Sequence, residues 1–312
     1  MHAASDQRRL SVGLPQIVEG SDPARAIADY AARAEALGFS GLWTLESGVG
    51  AVTAHMPILD GLQALAHVAA VTDKVRLGIA IIVLPRRNPV LLAKELSSLD
   101  HITGGRLTVG VGLGNDDERV AALGVPTDRR VRRMVESVQA MRSLWSQTPA
   151  SFDGELFSFS GADLNPKPVQ QPLPVWFGAG RPPALRRTAR LADGWIGAGS
   201  SSSAAFVEQA RLMEEALAEA GRDPRAFPVA KRVYVAVEAD VQRAADKLAA
   251  VLDRMYGWPG MTGQVAVCGP AERCAEELRG LFDAGADELS LTPLYDPPAQ
   301  LEALAEVARL LG

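Results

Sequence analysis

Cysteine and histidine are scarce in this chain. Two cysteines in 312 residues, Cys268 and Cys274, exclude a disulfide-framed fold, and one pair makes no metal motif. They flank a turn entering a helix and read as small, reduced, buried side chains. The four histidines, His2, His55, His67 and His101, include no metal-spaced pair. No Ser-His-Asp order and no Walker loop are present. Positive charge is not in excess: the formal net charge is −5, which argues against a general nucleic-acid footprint. No window approaches the roughly 18 consecutive apolar residues that a membrane helix needs. The first residues, Met1 to Arg9, run into a strand without the apolar core of a signal peptide. The start reads as the tip of a cytoplasmic protein, and neither a membrane nor a nucleic acid is expected as partner.

What is there is an ordinary globular composition, 47% hydrophobic and 22% charged. The length allows one large barrel or two domains. The most informative stretch runs from Val75 to Gly114. Val75–Leu84 is an apolar run that suits a strand buried on both faces. Asn88-Pro89 supplies an N-cap and a helix-first proline. Leu91, Leu92, Leu96 and Leu99 make a helical stripe, which Thr103-Gly104-Gly105 ends. Arg106–Gly114 is a second apolar strand that dissolves into glycines at its carboxyl end. Together they form a βαβ unit, and ligands of such folds sit at the carboxyl ends of the strands.

The same alternation extends over the chain. Strands are predicted at Leu10–Ile17, Ser40–Leu45, Val175–Gly178, Trp195–Gly197, Val229–Val237 and Glu288–Thr292. Helices are predicted from Asp22-Pro23 to Leu37, from Pro57 to Val71, and from a cap at Thr127 or Asp128 through Trp145. Further helices are Pro182–Leu191, Phe206–Ala220, Val241–Tyr256, Cys274–Ala284 and Pro298–Leu311. About eight parallel strands in this length is the count of a (β/α)8 TIM barrel; a doubly wound open sheet is the runner-up. The chain reads as one domain over residues 1–312. Residues from about 115 to 174 are too many for a plain βα unit and read as an insertion over the barrel top, with a small hairpin near Ser151–Phe159.

Candidate chemistry clusters at the strand ends. Gly110-Val111-Gly112-Leu113-Gly114 lets a planar ligand approach the backbone closely; close strand packing is the competing explanation. Phe177-Gly178-Ala179-Gly180-Arg181-Pro182-Pro183 turns from strand to helix on small residues, an arrangement that offers N–H groups and a helix amino terminus to an anion. Gly197-Ala198-Gly199-Ser200 repeats it one unit later, and two such loops suit one phosphate group. Glu46 ends the second strand, where a carboxylate can orient a ligand or move a proton. The loop beyond it carries Ser47 and His55, and His55 is a candidate proton donor near neutral pH. Arg129, Arg130, Arg132 and Arg133 make a basic turn that reads as a solvated face or as a contact for an acidic cofactor tail.

Leu77–Pro85, Asn88-Pro89-Val90 and Leu99-Asp100-His101-Ile102-Thr103-Gly104-Gly105-Arg106-Leu107 resemble the bacterial luciferase-like superfamily. Gly38-Phe39, Pro166–Gln170 and Ala192-Asp193-Gly194-Trp195 support the resemblance. It implies a TIM barrel with an insertion between its fourth and fifth strands, binding FMN or coenzyme F420. It implies a non-proline cis peptide at Ala80–Ile81, behind the ring of the cofactor, and phosphate contacts at Gly178, Ala179, Gly180, Gly197 and Ala198. Glu46 and the strand-four glycines Gly110 and Gly112 complete the implied cofactor site. The family often has histidine after the acidic residue. Here the pair is Glu46-Ser47, so the proton donor falls to Ser47, His55 or the substrate. The run Asn88–Val90 with Thr103–Leu107 most resembles the F420-dependent oxidoreductases, which transfer hydride to or from a small organic substrate. The neutral Leu113 points the same way. The alternatives are an FMN-dependent monooxygenase served by a flavin reductase partner, and a flavin-binding barrel without catalysis. The resemblance also implies a homodimer and, for the reduced cofactor, a flavin or F420 reductase partner.

Overall fold

A computed structural model describes residues 8–18, 20–47, 53, 55–114, 124, 126 and 128–312. In chain order the strands are β1 (Arg9–Gly13), β2 (Gly41–Thr44), β3 (Arg76–Val83), β4 (Leu107–Gly112), β5 (Ala150–Asp153), β6 (Ser158–Ala162), β7 (Val175–Gly178), β8 (Gly194–Gly197), β9 (Val229–Val237), β10 (Ala266–Gly269) and β11 (Glu288–Thr292). The helices are α1 (Pro23–Ala36), α2 (Gly61–Ala69), α3 (Pro89–Ile102), α4 (Arg130–Ser146), α5 (Pro182–Leu191), α6 (Ser203–Glu219), α7 (Val241–Tyr256), α8 (Thr262–Val265), α9 (Ala271–Asp283) and α10 (Pro297–Leu311). Parallel pairing runs β1-β2-β3-β4-β7-β8-β9-β11 and returns to β1. The sheet is therefore a closed TIM barrel, and the open doubly wound alternative is excluded. β5 and β6 form the separate antiparallel hairpin between β4 and β7.

One strand escapes the sequence reading. β10, which contains Cys268, pairs with the upper half of β9 from Tyr234 to Val237, while β8 pairs with its lower half from Val229 to Lys231. Other differences are at element ends. β1 stops at Gly13 before Pro15, which has no N–H to give, and Ile17 forms only an isolated bridge to Ile58. α2 starts at Gly61 rather than Pro57, because Asp60 Oδ1 accepts from the N–H groups of Leu62 and Gln63 at 3.0 and 3.1 Å. Asp128 does not cap α4, which follows Arg129 in a left-handed conformation (φ 49°); Thr127 lies outside the described residues. Asn88 does cap α3, accepting from Val90 and Leu91 N–H at 2.9 and 3.2 Å.

Polar buttresses join the helices to the barrel. The buried Asp100 accepts from Gln170 N–H at 2.9 Å and from its Nε2 at 2.7 Å, and the same Nε2 donates to Leu107 O at 2.8 Å. The Arg106 guanidinium donates to the carbonyls of Ala69, Thr72, Val75 and Thr103. Asp193 Oδ2 accepts from Arg142 Nη2 and from Val175 N–H, both at 2.9 Å. Each puts a charged group against backbone that would otherwise be buried unpaired.

Inside the barrel, Trp43 and Trp176 meet at 5.9 Å between ring centroids, with Ile196, Ala230 and Ala80 around them. Two glycines make room for the indoles: a Cβ at Gly78 would lie 2.5 Å from Trp43, and one at Gly194 would lie 2.6 Å from Trp176. Beneath this layer the amino-terminal end is closed by polar groups. Buried Glu288 accepts from Ser11 Oγ at 2.6 Å and from Trp43 Nε1 at 2.7 Å, and lies 3.7 Å from Arg9. Arg76 donates to Thr108 Oγ1 at 2.5 Å.

Candidate functional site

Above the tryptophan layer a cleft of about 670 Å³ opens at the carboxyl ends of the strands, the end where barrels of this kind carry their sites. Ala80 and Ile81 lie at its base, and the peptide between them is cis, at the position the resemblance gives. The pairing of β3 with β4 shifts register there, between Ile79 and Ile82. Gly112 and Gly178 line the cleft, yet the space their side chains would fill belongs to Ile81: added Cβ atoms would come within 2.8 Å of its Cδ1 and 3.0 Å of its Cγ2. Gly110 is two residues lower on the same face of β4 and does not line the cleft. A Cβ there would meet Ile79 O at 2.3 Å and Ile196 Cδ1 at 2.8 Å, so at this position the close-packing explanation is the right one.

The two glycine loops stand side by side on the rim, and Gly178, Ala179, Gly180, Gly197, Ala198, Gly199 and Ser200 all line the cleft. Trp195 ties them together, donating from Nε1 to Ala179 O at 2.8 Å and stacking on Phe206 at 5.3 Å. The N–H groups of Ala179, Gly180, Gly199 and Ser200 have no partner among the described residues. The first turn of α5 adds little to them. Pro182 and Pro183 have no N–H, and Ala184 N–H already bonds Arg181 O at 2.8 Å. Anion-binding donors therefore come from the loops and from side chains rather than from the helix terminus.

Those side chains are arginines. Arg86, Arg181, Arg187 and Arg232 line the cleft, and Glu46 is the one carboxylate beside them among the described residues. Among the described residues, a chain of net negative charge thus lines its cleft with more cations than anions. Arg187 Nε is buried with no hydrogen-bond partner among the described residues, and burial, with Arg190 nearby, lowers the affinity of that guanidinium for its proton. Behind the second loop stands Lys231, 2% exposed. Its ammonium donates to Ala198 O, and to Ser201 O and Oγ at 2.9 and 3.0 Å. Burial pushes its pKa down to about 7, and the Arg232 charge acts in the same direction.

Glu46 is on the lining but not free. One oxygen accepts from Val83 N–H at 2.6 Å and the other from Arg87 Nε at 2.7 Å and Nη2 at 2.5 Å. Its work is to hold the end of β3 against the loop after β2; the proton-moving alternative does not fit a carboxylate held by three donors. Ser47 Oγ accepts from Thr53 Oγ1 at 3.0 Å, and Thr53, not Ser47, lines the cleft. His55 is exposed and away from the lining, with Nε2 donating to Arg254 O at 2.7 Å. Of the basic turn, Arg129 pairs with Asp128 and Glu155, and Arg132 with Glu136 and Glu155. Residues 48–52 and 54 lie outside the described residues.

Tyr256 supplies a hydroxyl that the sequence reading missed. It lines the cleft, and its Oη is 2.7 Å from that of buried Tyr234. Arg86, Arg187, Arg232 and Lys231 were missed as well. The adjacent Lys231-Arg232 pair inside an otherwise apolar strand was the signal available.

The family model for luciferase-like monooxygenases matches residues 8–288. The chain belongs to that family. A luciferase-like chain is expected to form a closed TIM barrel, and this one does. It is 35% identical over 230 residues to an uncharacterized protein of Mycobacterium tuberculosis, covering 72% of this chain and 78% of that one. The fold is shared with an F420-dependent secondary alcohol dehydrogenase solved with an F420-acetone adduct, at a TM-score of 0.84 and 20% identity over 98% of this chain and 99% of the other. It is also shared with the oxygenating constituent of a 3,6-diketocamphane monooxygenase from Pseudomonas putida solved with FMN, at a TM-score of 0.76 and 16% identity over 98% of each chain. Of these two neighbours of the same fold, one was solved with an F420 adduct and the other with FMN.

Proposed function

We propose that this luciferase-like chain is a coenzyme F420-dependent oxidoreductase acting on a small organic substrate. The observation that carries the reading is the cationic rim beside the two glycine loops: Arg181 and Arg187 line it, and among the described residues the one carboxylate on the lining, Glu46, is taken by Arg87 while Arg187 Nε has no partner. F420 carries a phosphodiester and a glutamate tail, so it brings several negative charges; FMN brings one phosphate. The residues fit the larger polyanion. Donors at Ala179, Gly180, Gly199 and Ser200 would take the phosphate oxygens, with Arg187 as the charged partner.

When bound, the deazaflavin supplies hydride chemistry between its ring and the substrate. The chain supplies the rest. Ala80 and Ile81 form the base against which the ring is oriented. Leu45, Val83, Leu113, Phe177 and Met255 make an apolar wall that keeps water from the reacting atoms. The Glu46–Arg87 pair holds that wall in register. Tyr256 Oη gives or takes the accompanying proton, with Tyr234 Oη as its hydrogen-bond partner.

The test is a titration of the purified protein with F420 and with FMN, each oxidised and reduced, followed by fluorescence and heat. The expected result is tight F420 binding with FMN weaker by about tenfold or more, the worth of one charge-assisted contact. Tight FMN binding without F420 overturns the reading and gives the oxygen-using alternative. Binding of neither removes the flavin function altogether.

A further inference from the structure

Arg232 sits on the inward face of β9. Ala230, two residues earlier, belongs to the tryptophan layer, and the period of a strand puts Arg232 on the same side, one step higher. It lines the main cleft and also a crevice of about 40 Å³ that runs from Ala80 toward the ends of β1 and β11. Its stem passes the second glycine loop, with Cδ 3.4 Å from where a Cβ on Gly199 would be. Its head is turned toward the neighbouring strand β11: Nε donates to Thr292 Oγ1 at 3.3 Å, and the guanidinium carbon is 5.0 Å from the Tyr234 ring centroid.

The guanidinium carries five N–H donors, and the bond to Thr292 uses one. Among the described residues no carboxylate lies within ion-pair distance of it. The other polar side chains of the crevice are occupied. Gln16 donates to Leu45 O and Leu59 O and accepts from Leu45 N–H. Trp43 Nε1 is given to Glu288, and Thr44 Oγ1 to Gly61 O. Arg232 is therefore the charged donor left over, with the Thr292 hydroxyl beside it. A water needs about 10–15 Å³ of such space, so the crevice has room for a group the size of a carboxylate.

We infer that the substrate of this enzyme carries a carboxylate or a similarly small oxyanion, and that Arg232 receives it. The inference rests on the proposed reading only in taking the cleft as the place of reaction. Arg232 then acts as a specificity residue: it fixes one end of the substrate in the crevice and leaves the rest to extend over Ala80 into the main cleft. A neutral analogue of the same shape would leave the guanidinium desolvated and unpaired, which is the physical basis of the discrimination.

The probes are 3-phenylpropionate and its amide, equal in shape and different in charge, titrated calorimetrically into the full chain without cofactor. The wild-type protein should prefer the carboxylate by about tenfold or more. Arg232→Met should abolish that preference and Arg232→Lys should retain part of it, whereas Arg187→Met, on the phosphate side, should keep it. Equal binding of the two probes by the wild type overturns the inference. So does a preference that survives in Arg232→Met, or one that disappears in Arg187→Met instead. Should Arg232→Met fail to fold, Arg232→Gln takes its place. A protein that binds neither F420 nor FMN can still show or lack the carboxylate preference, so the two readings fail separately. Where F420 does bind, Arg232→Met should leave its affinity within about twofold; a loss as large as that of Arg187→Met makes Arg232 a cofactor contact and overturns the inference.

Discussion

The two ends of the barrel treat charge in opposite ways. At the amino-terminal end Arg76 bonds Thr108, Ser11 and Trp43 both donate to one oxygen of the Glu288 carboxylate, and Arg9 Nε faces the other oxygen at ion-pair distance, 3.7 Å. At the carboxyl end Arg187 and Arg232 have no carboxylate partner, and Arg187 Nε has no partner of any kind among the described residues. A buried charge matched by its neighbours is part of the scaffold. A half-buried charge left unmatched costs stability to a lesser degree, and it suits a place where a ligand can supply the match. The same residue type therefore has two meanings in this molecule, and its surroundings decide which applies.

The contrast breaks first at the closed end. Glu288→Ala removes the acceptor of Ser11 and Trp43 and the counter-charge of Arg9, and should cost about 3–5 kcal/mol in urea denaturation, the range for one half of a buried ion pair. A loss below about 1 kcal/mol would show that water enters that end and that it is not closed. At the open end Arg187→Met should do the reverse. It should leave the denaturation midpoint unchanged or raised, because an unsatisfied donor is removed, and weaken F420 binding by about 10–100-fold. A destabilised variant with unaltered binding would place Arg187 in the scaffold.

The smallest effect concerns Lys231, which stands between the two regimes: buried like the first, and beneath the site like the second. Its pKa in the folded chain, about 7, is below that of an unfolded lysine. Between pH 7 and roughly 10 the unfolded chain holds a proton that the folded chain has released, so stability climbs with pH across that window. Lys231→Met should remove this slope. The melting temperature of the wild type relative to the variant should rise from pH 7 to pH 9. A flat difference would mean that Ala198 O and the two Ser201 oxygens keep the ammonium charged in spite of its burial.

The parts of this chain that were legible from sequence are those governed by short-range rules. Period and caps placed β7, β9, β11 and α5 at their observed bounds, and the glycine turns after β7 and β8 marked the rim. β10 was missed because Ala-Val-Cys-Gly is four residues long and carries no alternation to detect. The site was legible in its backbone and not in its side chains. Arg187 reads as one more solvated helix residue until the fold turns it into the cleft, and Glu46 reads as available until Arg87 is found on it. The residues that carried the family resemblance teach something further. Asp100, Arg106, Gln170 and Asp193 are buttresses between helices and barrel, remote in role from any chemistry. The family was recognisable from its carpentry, while its reactive groups had to be found in three dimensions.

The indole of Trp195 has a consequence beyond packing. Its bond to Ala179 O and its stack on Phe206 join the two glycine loops into one block. The base of the cleft is equally fixed, by two other indoles wedged over Gly78 and Gly194. The span from base to block is then a ruler of set length. A cofactor whose ring and anionic group are spaced to that length registers at both marks, and one that is too short or too long can meet only one of them. For the proposed cofactor, such a chain would measure length as well as match charge, with three tryptophans as the graduations.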